Sequence, residues 1–193
     1  MDLKVYQIAD GDLKKSACQM IAKLYNKKDT VIVLAPDEEE QKLIDIKLWT
    51  FSQKEFVPHA TCTEENLLEQ PVIICTSFEE MDEALEKAIE SDESGIGFIA
   101  NKFLILSDVN AIEGDIEYIG NFVSECVEKY KKSGKKVDKN ASDATVVYMF
   151  KDDKNNADEH LNTVADFIEN AENSSDIAFK YYVFADQSWK AIN

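Results

Sequence analysis

The run TVIVLA at positions 30–35 constrains the fold of this chain more than any other feature of the sequence. A strand built almost entirely of apolar and β-branched residues has no face for water, so it is covered on both faces, as in parallel sheets. The segments before and after it, 13–25 and 36–49, have apolar residues at helical spacing. This alternation predicts an α/β fold that is doubly wound, with a mostly parallel sheet and helices on both faces.

The rest of the chain continues the alternation of strands and helices. Further strands are predicted at 3–9, 72–75, 102–106, 144–150 and 178–184, and further helices at 79–90, 116–132 and 157–172. Residues 51–70 are predicted to be irregular and residues 135–143 to form a polar linker. We therefore expect an α/β domain over residues 1–140, and a strand–helix–strand extension over 141–193 that packs on or extends the same sheet.

The charge of the chain excludes some classes of partner. There are 38 acidic and 21 basic residues, and every basic residue is a lysine, which gives a net charge of −17. Such a chain is repelled by phosphates and lacks the bidentate guanidinium fork, so we expect no direct binding of nucleic acid. No apolar run approaches the roughly 18–20 residues that span a bilayer, and the N-terminus begins as a strand rather than a signal peptide. We expect a cytoplasmic protein with no membrane partner.

The sequence offers no pattern for a metal or a cofactor. None of its four cysteines is in CxxC spacing, and it has two histidines, so no zinc-type cluster is predicted (Cys18, Cys62, Cys75, Cys126, His59 and His160). We interpret the cysteines as small buried hydrophobic residues in a reducing compartment. The glycines form neither GxGxxG nor GxxxxGK[ST], and no nucleophile elbow is present. We predict no cofactor, no metal and no catalytic residue.

Asp10, Asp12 and Asp37 leave an alternative open. They follow predicted strands, where ligands bind in doubly wound folds, and clustered carboxylates there could hold Mg²⁺ in a small enzyme or phosphoacceptor. The competing interpretation is that these residues cap helices and lie in solvated turns.

A second pattern, between residues 45 and 59, suggests a binding surface. Trp49 ends an amphipathic helix, and the tetrapeptide Phe56-Val57-Pro58-His59 follows seven residues later. Large aromatic residues beside proline and histidine in an irregular segment often form a partly apolar surface. The alternative is that Trp49 and Phe56 cover the core beneath a long loop.

This pattern resembles the chi subunit family of bacterial DNA polymerase III. The resemblance rests on Asp45, Leu48 and Trp49 at the end of the second helix, then FVPH at 56–59, and is good over residues 3–59. It implies a non-catalytic accessory subunit of the clamp-loader assembly that binds the psi subunit, with Phe56 central and Trp49, Val57, Pro58 and His59 on the same surface. A chi-type adaptor for a repair helicase, using the same surface, is the remaining alternative.

The resemblance also implies a second partner, the acidic, Phe-terminated tail of single-stranded DNA-binding protein. The family's basic and aromatic positions for that tail correspond here to Gly120, Ser124 and Val127, none of which carries charge. A lysine-rich cluster further along is the substitute candidate (Lys129, Tyr130, Lys131, Lys132, Lys135 and Lys136). Its alternative role is a solvated helix C-terminus that complements the helix dipole.

Overall fold

The computed structural model describes residues 1–50, 56–65, 67–91, 100–132, 144–152, 157–170, 177–185 and 188–192. The strands are β1 (Asp2–Ile8), β2 (Val31–Leu34), β3 (His59–Thr61), β4 (Val72–Cys75), β5 (Lys102–Ile105), β6 (Thr145–Lys151), β7 (Ala178–Ala185) and β8 (Ser188–Ile192). The helices are α1 (Leu13–Tyr25), α2 (Glu38–Thr50), α3 (Phe78–Ser91), α4 (Ile112–Lys132) and α5 (Ala157–Asn170), with a 3-10 turn at Leu67–Glu69. Within these ranges, no helix is both long and apolar enough to cross a membrane.

The eight strands pair in one sheet, in the order β3-β4-β2-β5-β6-β1-β7-β8. Strands β1 to β7 run parallel to their neighbours, whereas β8 is antiparallel to β7. The predicted fold class, a doubly wound and mostly parallel α/β sheet, is confirmed.

Helices cover both faces of the sheet, because successive strand residues point to opposite faces. On one face, strand residues such as Ile32 and Phe103 pack with α3, α4 and α5. On the other face, their neighbours Val31 and Leu104 pack with α1 and α2. The core therefore consists of two apolar layers separated by the sheet.

Strand β1 depends on the end of the chain for both of its neighbours. Leu3 pairs with Val146 of β6 on one side and with Phe179 of β7 on the other. The buried Gln7 adds a polar link, since its Oε1 accepts a hydrogen bond from the Tyr181 hydroxyl at 2.9 Å. Strands on the two sides of residue 140 thus belong to one sheet, while the domain division at that residue stays a prediction.

Two strands were not predicted from the sequence. Strand β3 lies in the segment predicted to be irregular; it is three residues long and forms an edge of the sheet, so it leaves little periodic signal. Strand β8 forms the other edge, and all five of its residues are exposed, so no apolar alternation marks it.

The interpretation of the cysteines was wrong for one pair. Cys62 and Cys75 form a disulfide, with their Cα atoms 5.4 Å apart. Cys62 follows the unpredicted strand β3 and Cys75 ends β4, so the parallel pairing of these strands brings together two residues that are 13 apart in sequence. Cys18 is fully buried, as expected for a small hydrophobic residue, and burial raises the pKa of its thiol to about 11.

Candidate functional site

Helix α2 is fixed to the sheet along one side, which determines the residues that face outward. Ile44 and Leu48 are buried against the sheet, and the buried Gln41 donates from Nε2 to the backbone oxygen of Ile74 at 2.9 Å. The helix begins after Asp37, whose Oδ1 accepts a hydrogen bond from the Glu40 amide at 2.8 Å.

An apolar surface lies on the outward side of α2 and continues to Phe56. Leu43, Ile46 and Trp49 recur every three residues and are 38%, 59% and 60% exposed, and Phe56 is 53% exposed. We call these four residues the α2 surface. In the described part of the chain, the other exposed large hydrophobic residues lie on β8, at the opposite edge of the sheet (Trp189 and Ile192).

Three aromatic rings pack together at the end of this surface. The ring centroids of Trp49 and Phe56 are 5.1 Å apart, those of Trp49 and His59 are 5.3 Å apart, and those of Phe56 and His59 are 6.3 Å apart. Aromatic pairs attract one another over about 4.5–7 Å in such tilted arrangements. Trp49 and Phe56 therefore hold each other in position while a large part of each side chain stays in contact with water.

His59 fixes the base of the aromatic cluster. It is buried, its Nδ1 lies 2.6 Å from the backbone oxygen of Val57, and its Nε2 lies 3.1 Å from Oδ1 of Asp45. Because both partners are acceptors, both hydrogen bonds can form together only when the imidazole is protonated on both nitrogens. Asp45 on α2 and the segment that carries Phe56 are thus linked through one histidine ring.

The five residues predicted for the psi-type surface come together, but they do not share one environment. Trp49 and Phe56 are more than half exposed, so they do not serve mainly to cover the core, whereas Val57 and His59 are buried and Pro58 is half-buried. Whether they bind a partner stays a prediction.

Sequence reasoning placed Leu43 and Ile46 in the apolar pattern of α2 without recognising them as exposed. The spacing of the apolar residues along α2 could have shown that Leu43 and Ile46 are not part of the core. Gln41, Ile44 and Leu48 already complete an inward side of the helix, so a second apolar row at a spacing of three residues has to face elsewhere.

The predicted lysine cluster falls largely beyond what the structure describes. Helix α4 runs to Lys132, but the side chains of Lys129, Tyr130, Lys131 and Lys132, and the whole of Lys135 and Lys136, lie outside the described residues. Earlier on α4, Ser124 is exposed and donates from Oγ to the backbone oxygen of Gly120 at 2.8 Å. Neither of these two positions presents a charged side chain.

Two of the three aspartates proposed for a magnesium site, Asp12 and Asp37, act as helix caps. Asp12 accepts a hydrogen bond from the Lys15 amide at 3.0 Å and forms an ion pair with Lys47 at 2.6 Å. The hydrogen bond from Lys47, supported by the Lys15 amide, lowers the pKa of Asp12 below its ordinary value. Across the described residues, Asp10, Asp12 and Asp37 do not form a group with metal-binding spacing.

A cleft of about 570 Å³ opens beside these caps, at the carboxyl ends of the central strands. It is lined by Gly11, Asp12, Leu13, Lys14, Pro36, Glu40, Leu106 and Lys151. Lys14 forms an ion pair with Glu40 at 2.9 Å within this lining, and Asp12 is already paired with Lys47. With those carboxylates occupied, the cap interpretation is the one that the geometry supports.

The α2 surface lies in a part of the chain that is similar to a known protein family. The sequence model of the family described as "DNA polymerase III chi subunit, HolC" matches residues 2–96. A curated relative, "Probable DNA polymerase III subunit chi" of Rickettsia prowazekii (strain Madrid E), is 27% identical over 70 residues, which are 36% of this chain and 42% of the relative. A solved structure, "Mss116p DEAD-box helicase domain 2 bound to an RNA duplex", is 13% identical with a TM-score of 0.45, over 96% of this chain and 65% of that one.

The match to the chi model includes every residue of the α2 surface. It agrees with the resemblance carried by Trp49 and the FVPH segment, so the predicted family is confirmed. Residues 2–96, just under half of the chain, are similar to the DNA polymerase III chi subunit family.

Proposed function

We propose that this protein is a non-catalytic accessory subunit of DNA polymerase III that binds a psi-type subunit through the α2 surface. The chi family is itself a non-catalytic component of that polymerase. The observation that carries the proposal is the position of the α2 surface: its four residues are apolar, exposed and within the range that the family model matches.

The composition of the α2 surface suits a protein partner. Tryptophan is enriched among residues that dominate binding energies, and truncating such a residue typically costs about 2 kcal/mol or more. Trp49 and Phe56 are already packed together at 5.1 Å, so binding restricts these side chains less than it would restrict two mobile ones. Ile46 and Leu43 extend the apolar contact along α2.

The α2 surface can be tested by titrating the psi subunit of the same organism into variants of this protein. Phe56→Ala should raise Kd by about 30-fold or more, and Ile46→Lys should also weaken binding because a charge would be buried in an apolar contact. Trp189→Ala is the matched control, since Trp189 is an exposed aromatic residue on the far edge of the sheet and should leave Kd unchanged. Circular dichroism verifies that each variant is folded.

An unchanged Kd for Phe56→Ala in a folded variant would remove the α2 surface from the partner site. A parallel titration with a repair helicase separates the two candidate partners. Binding to the helicase but not to psi, with the same dependence on Phe56, would keep the adaptor function and change its partner.

We further propose that the lysine cluster at residues 129–136 binds the acidic tail of single-stranded DNA-binding protein. Its support is the sequence: lysines are concentrated here in a chain whose net charge is −17, and point charges attract carboxylates with an affinity that falls as salt rises. With both partners bound, the protein would raise the local concentration of polymerase at coated single-stranded DNA.

The lysine cluster is tested by fluorescence anisotropy with a labelled C-terminal peptide of single-stranded DNA-binding protein. Lys131→Glu with Lys132→Glu should weaken binding several-fold at low salt and less at moderate salt, because screening already reduces the attraction. Lys27→Glu with Lys28→Glu makes the same change of net charge in the exposed turn after α1. An equal loss of peptide affinity in both double variants would show that net charge, and not a binding site at the lysine cluster, determines the affinity.

A further inference from the structure

Two cysteines and a glutamate meet at the corner formed by β3, β4 and α3. Cys62 follows β3, Cys75 ends β4, and Glu80 lies in the first turn of α3. The Cys62 amide donates to the backbone oxygen of Ile74 at 3.1 Å, which continues the β3–β4 pairing up to the cysteines. The site is thus built on paired strands and a helix.

In the disulfide form that the structure describes, the ligand atoms of this group already lie close together. The Sγ atoms of Cys62 and Cys75 and a carboxylate oxygen of Glu80 all lie within 4.8 Å of one another. In the described part of the chain, this is the one group of three or more such residues with that spacing. Two thiolates and a carboxylate are donors that Zn²⁺ accepts in proteins.

The carboxylate of Glu80 is already oriented by its neighbours. Its Oε2 accepts hydrogen bonds from the amide of Thr76 at 2.6 Å and from the hydroxyl of Thr76 at 2.8 Å. Among the described residues, its Oε1 has no such partner. Hydrogen bonds of this kind hold a ligand in place before the metal arrives and commonly change metal affinity about 10- to 100-fold.

We propose that, in the reduced protein, Cys62, Cys75 and Glu80 bind a thiophilic divalent cation of the Zn²⁺ class, with a water molecule as the fourth ligand. Binding replaces the two thiol protons by two metal–sulfur bonds and releases the protons. Disulfide formation instead removes two electrons and two protons from the same sulfurs, and passes the electrons to a disulfide oxidant that becomes two thiols. Metal binding and the disulfide therefore exclude each other.

The metal site would attach β3 to the rest of the sheet when the Cys62–Cys75 disulfide is reduced. In a reducing compartment a disulfide does not persist, and β3 is a three-residue edge strand. A metal held by Cys62, Cys75 and Glu80 would connect β3 to β4 and α3 under those conditions. The inference does not depend on the proposed function, because its readouts involve no partner.

The experiment uses the full chain, reduced under anaerobic conditions and then freed of reductant. Co²⁺ is the first probe, since thiolate coordination gives a sulfur-to-cobalt charge-transfer band, and Zn²⁺ is then titrated against a chromophoric chelator. We expect one equivalent of metal in the reduced protein, a higher Tm with metal than without it, and no charge-transfer band in the disulfide form.

Three variants assign the ligands. Cys62→Ser should abolish the charge-transfer band, and Glu80→Gln should weaken Zn²⁺ binding by about 10-fold or more. Cys126→Ser removes a cysteine elsewhere and should change neither readout. Cys75→Ser is left out because Cys75 is fully buried and the substitution risks misfolding. The assignment of the ligands therefore rests on Cys62→Ser and Glu80→Gln.

Absence of a charge-transfer band in the reduced wild-type protein would overturn the proposal. A band that survives Cys62→Ser, or a Zn²⁺ affinity that is the same in Glu80→Gln, would also overturn it, since the metal would then be bound elsewhere on this acidic chain.

Discussion

At the scale of the residue, burial and polar partners determine whether a side chain is available for binding and how readily it ionises, more than its chemical type does. His59 and Phe56 stand three positions apart, but His59 is buried with two hydrogen bonds whereas Phe56 is half exposed. A charged or aromatic residue therefore has to be interpreted together with the atoms that meet it.

Asp115 shows the same dependence. It accepts a hydrogen bond from the buried Tyr148 hydroxyl at 2.7 Å, and burial raises its pKa above the ordinary value although that bond acts in the opposite direction. A carboxyl with a raised folded-state pKa favours folding when it is protonated, and this contribution is lost as pH rises through that pKa. At a pH above that raised pKa, the ionised Asp115 thus lowers the stability of the folded protein.

We expect Asp115→Asn to raise Tm at pH 7, because an amide oxygen can still accept the Tyr148 hydrogen bond without carrying charge. The gain should shrink as pH falls through the raised pKa of Asp115 and should be gone below about 4, where aspartate is neutral in the unfolded chain as well. Glu113→Gln, an exposed change in the same first turn of α4, controls for the helix dipole. Melting curves at several pH values measure the difference, and a gain that does not vary with pH would contradict the assignment.

At the scale of the element, α2 combines two apolar rows and a defined start. Its inward row attaches it to β4, and its outward row forms the α2 surface. Asp37 caps its first turn by accepting the Glu40 amide.

Removing this cap should destabilise the protein without changing the α2 surface. Asp37→Ala should lower the free energy of unfolding by about 1 kcal/mol, since an N-cap side chain is lost. Glu39→Ala, an exposed residue of the same turn that makes no cap, should cost less. Urea unfolding measures both, and a cost in Glu39→Ala equal to that in Asp37→Ala would argue against the capping role.

The elements also show how far the sequence alone could predict this molecule. Long periodic segments such as α1 and buried runs such as β2 were predictable, because burial imposes a repeating pattern. Strands β3 and β8 were not, since β3 has only three residues and every residue of β8 is exposed, and the Cys62–Cys75 contact depended on β3. The exposure of the outward row of α2 could not be predicted from the sequence. Apolar residues at helical spacing form the same pattern whether they pack on the core or contact a partner.

At the scale of the whole molecule, residues before and after position 140 form a single sheet. Both neighbours of β1 come from the C-terminal part, with seven paired positions on each side. Without that part, Leu3, Val5 and Ile8 would lose the strands beside them.

We therefore expect a chain of residues 1–140 to lack a cooperative unfolding transition, although it contains the entire range matched by the chi family. Removing residues 187–193 is the matched control, because it deletes the exposed edge strand β8 and leaves β1 between β6 and β7. Urea unfolding followed by circular dichroism compares the two. A sharp transition in the 1–140 chain would show that β1 finds other neighbours.

The position of β1 has a consequence for synthesis on the ribosome. The first strand to be made remains without its neighbours until residues 145–185 have left the exit tunnel. During that interval, its apolar side chains and unpaired backbone groups are open to wrong contacts, which makes such a nascent chain a substrate for chaperones. The N-terminal half, which carries the family's signature, thus completes its fold after translation of the C-terminal half.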